Sequence, residues 1–180
     1  MIRSSLPRLR SGALALAASA CLVAGFGSAH AASSTGAEVV PGGAHQYRNA
    51  VTGKCLDVRG GSQDPNAVIQ QFDCKWALNQ QFVSQFTGSD PTTRLQPRHS
   101  GMCASAAGSW PGSYVTQQRC LGGPSERWEL VDLGGGAVVV KNAFTGLCLD
   151  DAGWSDGSRR EVRQAVCRNS GAQVWIRHAV

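Results

Sequence analysis

The chain is poor in charge: Asp, Glu, Lys and Arg make up 16% of its 180 residues, against about 25% in an average soluble domain. That argues against long solvent-bathed helices. No window of more than ten residues beyond the N-terminus carries a clean helical stripe. There is no Cys-x-x-Cys pair, and His45, His99 and His178 are scattered, so no metal-ligand set stands out and neither metal nor cofactor is expected. The zinc-protease pattern His-Glu-x-x-His does not occur. Basic residues are not massed. Of 17 Lys and Arg, three (Arg3, Arg8, Arg10) lie in a segment expected to be removed, leaving 14 against 12 acidic residues. That is no nucleic-acid footprint, and the local cluster Arg159-Arg160 with Arg163 reads as a solvated face. What the chain has in quantity is glycine, 22 residues together with 7 prolines, which points to many turns.

The N-terminus is the one apolar stretch. Arg3, Arg8 and Arg10 form a positive head, Gly12 to Phe26 is small and apolar, and Ala29-His30-Ala31 is a small-residue cleavage pattern. This order predicts a secretory signal peptide over residues 1–31, cut near Ala31, and a secreted, extracellular product. No later stretch has the length to span a bilayer as a helix. Lipidation at Cys21 is the alternative, although Ala18-Ser19-Ala20-Cys21 lacks a large aliphatic at its first position. Residues 32–45 hold Ser, Gly and Pro without periodicity and are expected to be a flexible lead-in.

The remainder repeats itself. Cys55-Leu56-Asp57 leads to Gln70-Gln71-Phe72-Asp73-Cys74 and then to Asn79-Gln80-Gln81-Phe82. Weaker copies run from Cys103 through Cys120 to Trp128, and from Cys148 through Cys167 to Trp175. The opening cysteines are 48 and 45 residues apart, and the closing aromatics 46 and 47. So steady a period marks three copies of one structural unit, at about 46–86, 94–132 and 137–180. Six cysteines remain once Cys21 leaves with the signal, an even number suited to disulfides in an exported chain. Because each repeat owns two, the symmetric pairing is Cys55–Cys74, Cys103–Cys120 and Cys148–Cys167.

Within each unit the runs are short and of β type. They include Val68 to Phe72, Tyr114 to Thr116, Glu161 to Arg163, Gln173 to Ile176, and a hairpin of Trp128–Leu133 with Ala137–Lys141 around three glycines. Phe82, Trp128 and Trp175 read as core. Gln80, Glu126 and Gln173, two residues earlier on the same strand face, would be buried and would need hydrogen bonds to nearby backbone.

Three Q-x-W-type repeats, each opened by a C-L-D-type segment and holding its own disulfide, resemble the ricin B-chain lectin domain, a family that includes carbohydrate-binding modules of bacterial xylanases. The likeness covers residues 46–180. It implies an all-β fold, a β-trefoil of twelve strands, and shallow sugar pockets, up to one per repeat. Carried onto the first repeat, the family pattern assigns Asp57 as the acidic ligand, Gln70 as the polar residue before the stacking position, Phe72 as the stacking aromatic, and Asn79 beside the Q-x-W glutamine, Gln80. A pyranose has an apolar C–H face and a rim of hydroxyls. Phe72 suits the face, Asp57 would accept from two vicinal hydroxyls, and amides both donate and accept. Structural roles stay open for each: Phe72 as core, Asp57 as a turn cap, Asn79 as a turn holder, Gln80 as a strand anchor.

The second repeat has Ser105, Gln118 and Ser125 in place of Asp57, Phe72 and Asn79, so its pocket is expected to be dead. The third keeps Asp150 but replaces Gln70, Phe72 and Asn79 with Arg163, Ala165 and Ala172, so Asp150 marks a weak site at best. Trp110 and Trp154 occupy equivalent loops and are expected to clasp the core edge, with a role as further platforms the sharper alternative; whether Trp76, just past Cys74, extends the first pocket stays open. The expected function is a secreted lectin-like protein, a monomer, binding a galactose- or xylose-type sugar or polysaccharide mainly through the first repeat. It is not expected to be an enzyme: Asp150-Asp151 and Asp156 are turn carboxylates rather than a catalytic pair. The competing reading is a protein-binding β-trefoil, an inhibitor or toxin-associated subunit.

Overall fold

The computed structural model describes residues 39–152 and 159–180, all within one compact unit. The expected signal peptide, Trp154 and Asp156 lie outside the described residues.

The described residues form thirteen strands: β1 Val39–Asn49, β2 Cys55–Val58, β3 Ile69–Phe72, β4 Phe82–Thr87, β5 Thr93–Pro97, β6 Cys103–Ala106, β7 Val115–Gln118, β8 Trp128–Gly134, β9 Ala137–Asn142, β10 Cys148–Asp150, β11 Arg160–Glu161, β12 Arg163–Ala165 and β13 Val174–Ala179. β11 and β12 are one strand interrupted at buried Val162, so the pattern is four per repeat, as a β-trefoil requires. The first strand begins earlier than expected. Val39 to His45, taken from sequence as part of the lead-in, pairs with β4, and from His45 onward β1 also pairs with β13.

The first and fourth strands of the three repeats close on each other. β1 pairs with β4, β4 with β5, β5 with β8, β8 with β9, β9 with β13, and β13 with β1, all antiparallel. Closure leaves this ring without a free edge. The inner strands form three hairpins, β2–β3, β6–β7 and β10–β12, which link across the axis in a cycle: Glu161 pairs with Gln70, Val68 with Thr116, and Tyr114 with Arg163. These are one position repeated three times, so each hairpin is bordered by the long loop of another repeat.

The core is the same triad of positions taken three times. Phe82, Trp128 and Trp175 are fully buried, with Leu56, Ala104 and Leu149 and with Ile69, Val115 and Val162 around them. The indole N–H groups of Trp128 and Trp175 donate to the carbonyls of Ala104 and Leu149, which satisfies their polar ends. The bridges are Cys55–Cys74, Cys103–Cys120 and Cys148–Cys167, each with 5.1 Å between Cα atoms.

Three polar residues absent from the sequence-based expectations are buried at equivalent positions, and two of them, Gln117 and Gln164, lock one repeat to another. Gln71, Gln117 and Gln164 are fully buried, and their carbonyl oxygens accept from the hydroxyls of Thr52, Ser100 and Thr145. The amide of Gln117 also donates to the carbonyls of Ser62 and Asp64, and that of Gln164 to Gly108. Gln117 and Gln164 therefore each tie down the long loop of the repeat before, giving buried backbone carbonyls the partners that burial demands.

Candidate functional site

β2 and β3 place Asp57 directly opposite Gln70, and Cys55 opposite Phe72. The disulfide to Cys74 fixes the chain after Phe72, and a single 3-10 turn over Leu78–Gln80 then brings Asn79 and Gln80 back against β2. Asp57 is only 4% exposed, and both of its carboxylate oxygens are hydrogen-bonded. The side-chain amide of Gln70 donates to Oδ1, and those of Asn79 and Gln80 donate to Oδ2, each at 2.9 Å. Burial pushes its carboxyl above the ordinary 3.8, and the bonds from Gln70, Gln80 and Asn79, with the charge of His99, pull the other way.

Around Asp57 opens a cleft of about 430 Å³, lined also by Gln70, Phe72, Lys75, Asn79 and Arg159. All five residues assigned from the first repeat therefore meet in one place, since Gln80 lines it as well. They do not play equal parts. Gln80 is buried, its oxygen accepts from the Lys75 backbone N–H, and its amide donates to Asp57 and to the Asp73 carbonyl. It anchors and aims Asp57 rather than facing the opening. Asn79 donates to Asp57 and to the Val58 carbonyl, which uses both hydrogens of its amide. Gln70 accepts from Arg59 Nε at 3.0 Å. With three amides already on the Asp57 carboxylate, which has about four acceptor directions, one direction remains for a further donor.

Sequence reasoning missed the cationic rim. Arg59, Lys75 and Arg159 line the cleft, with Lys75 Nζ 4.8 Å and Arg159 Cζ 5.8 Å from the Phe72 ring centroid. The Arg159-Arg160-Arg163 cluster is thus no plain solvated face. Arg159 reaches the first-repeat cleft, and Arg163 stacks on Tyr114 at 4.8 Å. The crossing β11–β3 pair is what carries Arg159 there, a long-range contact that sequence spacing does not reveal.

The sister positions are built differently. Ser105 donates to the Ser125 hydroxyl at 3.0 Å, and Glu126, in the place of Gln80, accepts from the backbone N–H groups of Leu121 and Gly122. Asp150 accepts from the Ala152 N–H on Oδ1 and from Gln173 on Oδ2, and Gln173 binds the Arg168 N–H and the Val166 carbonyl. So Gln80, Glu126 and Gln173 all hold nearby backbone, as burial of a polar side chain requires.

Two tryptophans fall outside these clefts. Trp76, 59% exposed and at φ 55°, borders a separate cleft with Arg48 and His178, so it does not extend the first pocket. Trp110, 62% exposed, lies over Gly108 so closely that a Cβ there would come within 2.5 Å of the ring, a clasp on the loop whose carbonyl Gln164 holds.

A family model for the ricin-type β-trefoil lectin domain matches residues 44–175. The chain belongs to that family. It is a carbohydrate-binding domain of the lectin type, and its solved neighbours share the fold. A designed threefold-symmetric protein, ThreeFoil, superimposes with a TM-score of 0.73 at 27% identity, over 77% of this chain and all of that one. An exo-beta-1,3-galactanase from Clostridium thermocellum gives 0.73 at 24% identity, over 77% of this chain and 30% of that one. A ricin B-like lectin from Macrolepiota procera, solved in complex with lactose, gives 0.67 at 18% identity, over 79% of this chain and 99% of that one. Among the described residues no helix is long and apolar enough to cross a membrane.

Proposed function

We propose that this chain is an exported, non-enzymatic lectin that binds a galactose- or xylose-type sugar, free or in a polysaccharide, through its first repeat. The observation that carries this is the convergence of Gln70, Asn79 and Gln80 on one buried carboxylate, Asp57, beside the partly exposed Phe72 ring, in a cleft neither sister repeat reproduces. A ring face, a charge-assisted acceptor and a neighbouring side-chain amide are what a pyranose needs. With one phenyl ring and few bonds in an open cleft, the dissociation constant for a monosaccharide should be about 0.1–1 mM.

Catalysis finds no support in the lining. Glycoside hydrolysis uses a pair of carboxylates across the bond, and Asp57 is the one carboxylate among the described residues lining this cleft. Gly153-Trp154-Ser155-Asp156-Gly157 does spell G-x-S-x-G, but that pattern activates serine on a strand-to-helix turn of an α/β sheet. The segment lies outside the described residues and is followed here by strand β11. Export is supported by the three bridges, which persist in oxidising compartments. N-terminal sequencing of secreted material should begin at Ala32.

Titration calorimetry with lactose, N-acetylgalactosamine and xylose oligomers tests the assignment, comparing the wild type with Asp57→Ala and Asp150→Ala. Binding that survives Asp57→Ala and disappears in Asp150→Ala would place the working site in the wrong repeat.

A further inference from the structure

The first-repeat cleft is lined by three cations and one carboxylate. Arg59 is committed, since its Nε donates to Gln70 and its second guanidinium nitrogen donates to Glu161 at 2.8 Å. Lys75 and Arg159 are not. Among the described residues neither side chain has an acidic partner, and each rests only on the Phe72 ring. Elsewhere the chain pairs its ammonium groups: Lys54 with Asp73 and Lys141 with Glu129. Lys75 is therefore the exception among three lysines, and it stands at the candidate site.

The two cations lie over the ring that a sugar would stack on. A neutral pyranose that takes the Phe72 face displaces at least one of them and returns no charged contact. An anionic substituent gives the displaced group a charge-assisted hydrogen bond instead, and the walls of a cleft concentrate the field of both cations on the same small volume. We infer that this cleft selects a pyranoside carrying an anionic group, a uronic carboxylate or a sulfate ester, with Lys75 and Arg159 as the specificity-determining partners of the anion. This rests on the first-repeat lectin reading and narrows its ligand class.

The test is calorimetric titration of the whole chain with three probes: methyl galactoside, methyl galacturonide and galactose 6-sulfate. It uses the wild type and the Lys75→Gln/Arg159→Gln double variant, both sites being exposed and outside the core. In about 10 mM salt the better anionic probe should bind about 10-fold more tightly than methyl galactoside. The advantage should shrink in about 150 mM salt, where the screening length falls from about 30 Å to about 8 Å. It should vanish in the double variant, where the neutral galactoside binds at least as tightly as to the wild type because it no longer displaces a cation from the Phe72 ring. Which of the two anionic probes gains more identifies the group. Equal affinity for neutral and anionic probes, or an advantage that persists in the double variant, overturns the inference and leaves the lectin reading standing. Failure of all three probes overturns the inference together with the galactose form of the lectin reading, and failure of xylose oligomers as well overturns the first-repeat lectin reading itself.

Discussion

The first and third repeats share an opening, Cys-Leu-Asp, a disulfide spanning 19 residues, and a buried glutamine that reaches back to the aspartate. They differ in what surrounds that aspartate. Asp57 is held by three side-chain amides and faces a ring. Asp150 is held by one amide and by the backbone N–H two residues on, and its cleft is lined by Ala165 and Ala172. The scaffold is thus copied while the site is not. A carboxylate kept for its turn-forming bond can outlast the sugar chemistry around it, so an acidic residue at the right register is weak evidence of binding until its neighbours are counted.

If scaffold and site are separable, breaking the scaffold should cost the same in either repeat. Cys55→Ala with Cys74→Ala, and Cys148→Ala with Cys167→Ala, should each lower unfolding stability by about 3 kcal/mol, the loop-closure value for bridges of this span. Denaturant midpoints of the two double variants test it, and a difference of more than about 1 kcal/mol between them would show that the repeats do not bear the fold equally. Breaking the site should separate them. Asp57→Ala should lose about 1.5–3 kcal/mol of ligand affinity, an about 10- to 150-fold weakening, and Asp150→Ala should change affinity by no more than about twofold. The calorimetry described above reads both.

That contrast was largely legible in the sequence, because the repeat supplies its own alignment. The cross-strand pairs Cys55–Phe72, Cys103–Gln118 and Cys148–Ala165 fall where the cysteine spacing put them. Two classes of residue were not legible. Gln117 and Gln164 sit in strands as ordinary polar residues, and only the packing of one repeat's loop against the next reveals them as buried locks. Arg159 reaches Phe72 across about half the chain, through the β11–β3 pairing, a contact between repeats rather than within one. Local patterning encodes what a repeat does to itself, and the pseudo-threefold axis decides what it does to its neighbour. The early start of β1 was hidden for a different reason, inside the first repeat: Gly42 and Gly43 look like a linker, but a Cβ at Gly42 would come within 2.8 Å of the Ser84 carbonyl, so glycine there permits the close approach to β4.

Acid sharpens the contrast with a smaller effect. Burial holds the Asp57 carboxyl above 3.8, so its charge is lost at a higher pH than that of an ordinary aspartate. An acid whose pKa is raised by folding costs stability while ionised, and protonation relieves that cost as pH falls through the raised value. Ligand affinity should go the other way, since the neutral carboxyl no longer offers the charge-assisted acceptor. Affinity should therefore fall on acidification before pH 3.8 is reached, with no matching loss of thermal stability from this group. Parallel titrations and melts across pH 6 to 4 read both quantities. Affinity that holds constant down to 3.8 would remove Asp57 from the ligand contacts.

The weakest effect is the one that would rebuild the missing site. Arg163→Gln, Ala165→Phe and Ala172→Asn put the first-repeat residues at their third-repeat positions, as the strand registers and the shared turn before β13 align them. The backbone already suits the change, because Gln173 aims at Asp150 as Gln80 aims at Asp57. Arg163→Gln also removes a buried Nε that has no hydrogen-bond partner among the described residues. One difference remains: Asp150 Oδ1 still accepts from the Ala152 N–H at 2.8 Å, the oxygen that in the first repeat meets only Gln70. The rebuilt site should therefore bind more weakly than the natural one. Made in an Asp57→Ala background, where the first site is silent, the triple substitution should restore measurable binding at one ligand per chain, with a dissociation constant in the millimolar range of about 1–10 mM. If binding stays absent while the chain melts as a folded protein, the Asp150–Ala152 turn itself, and not the three substituted side chains, keeps the third repeat from holding a sugar.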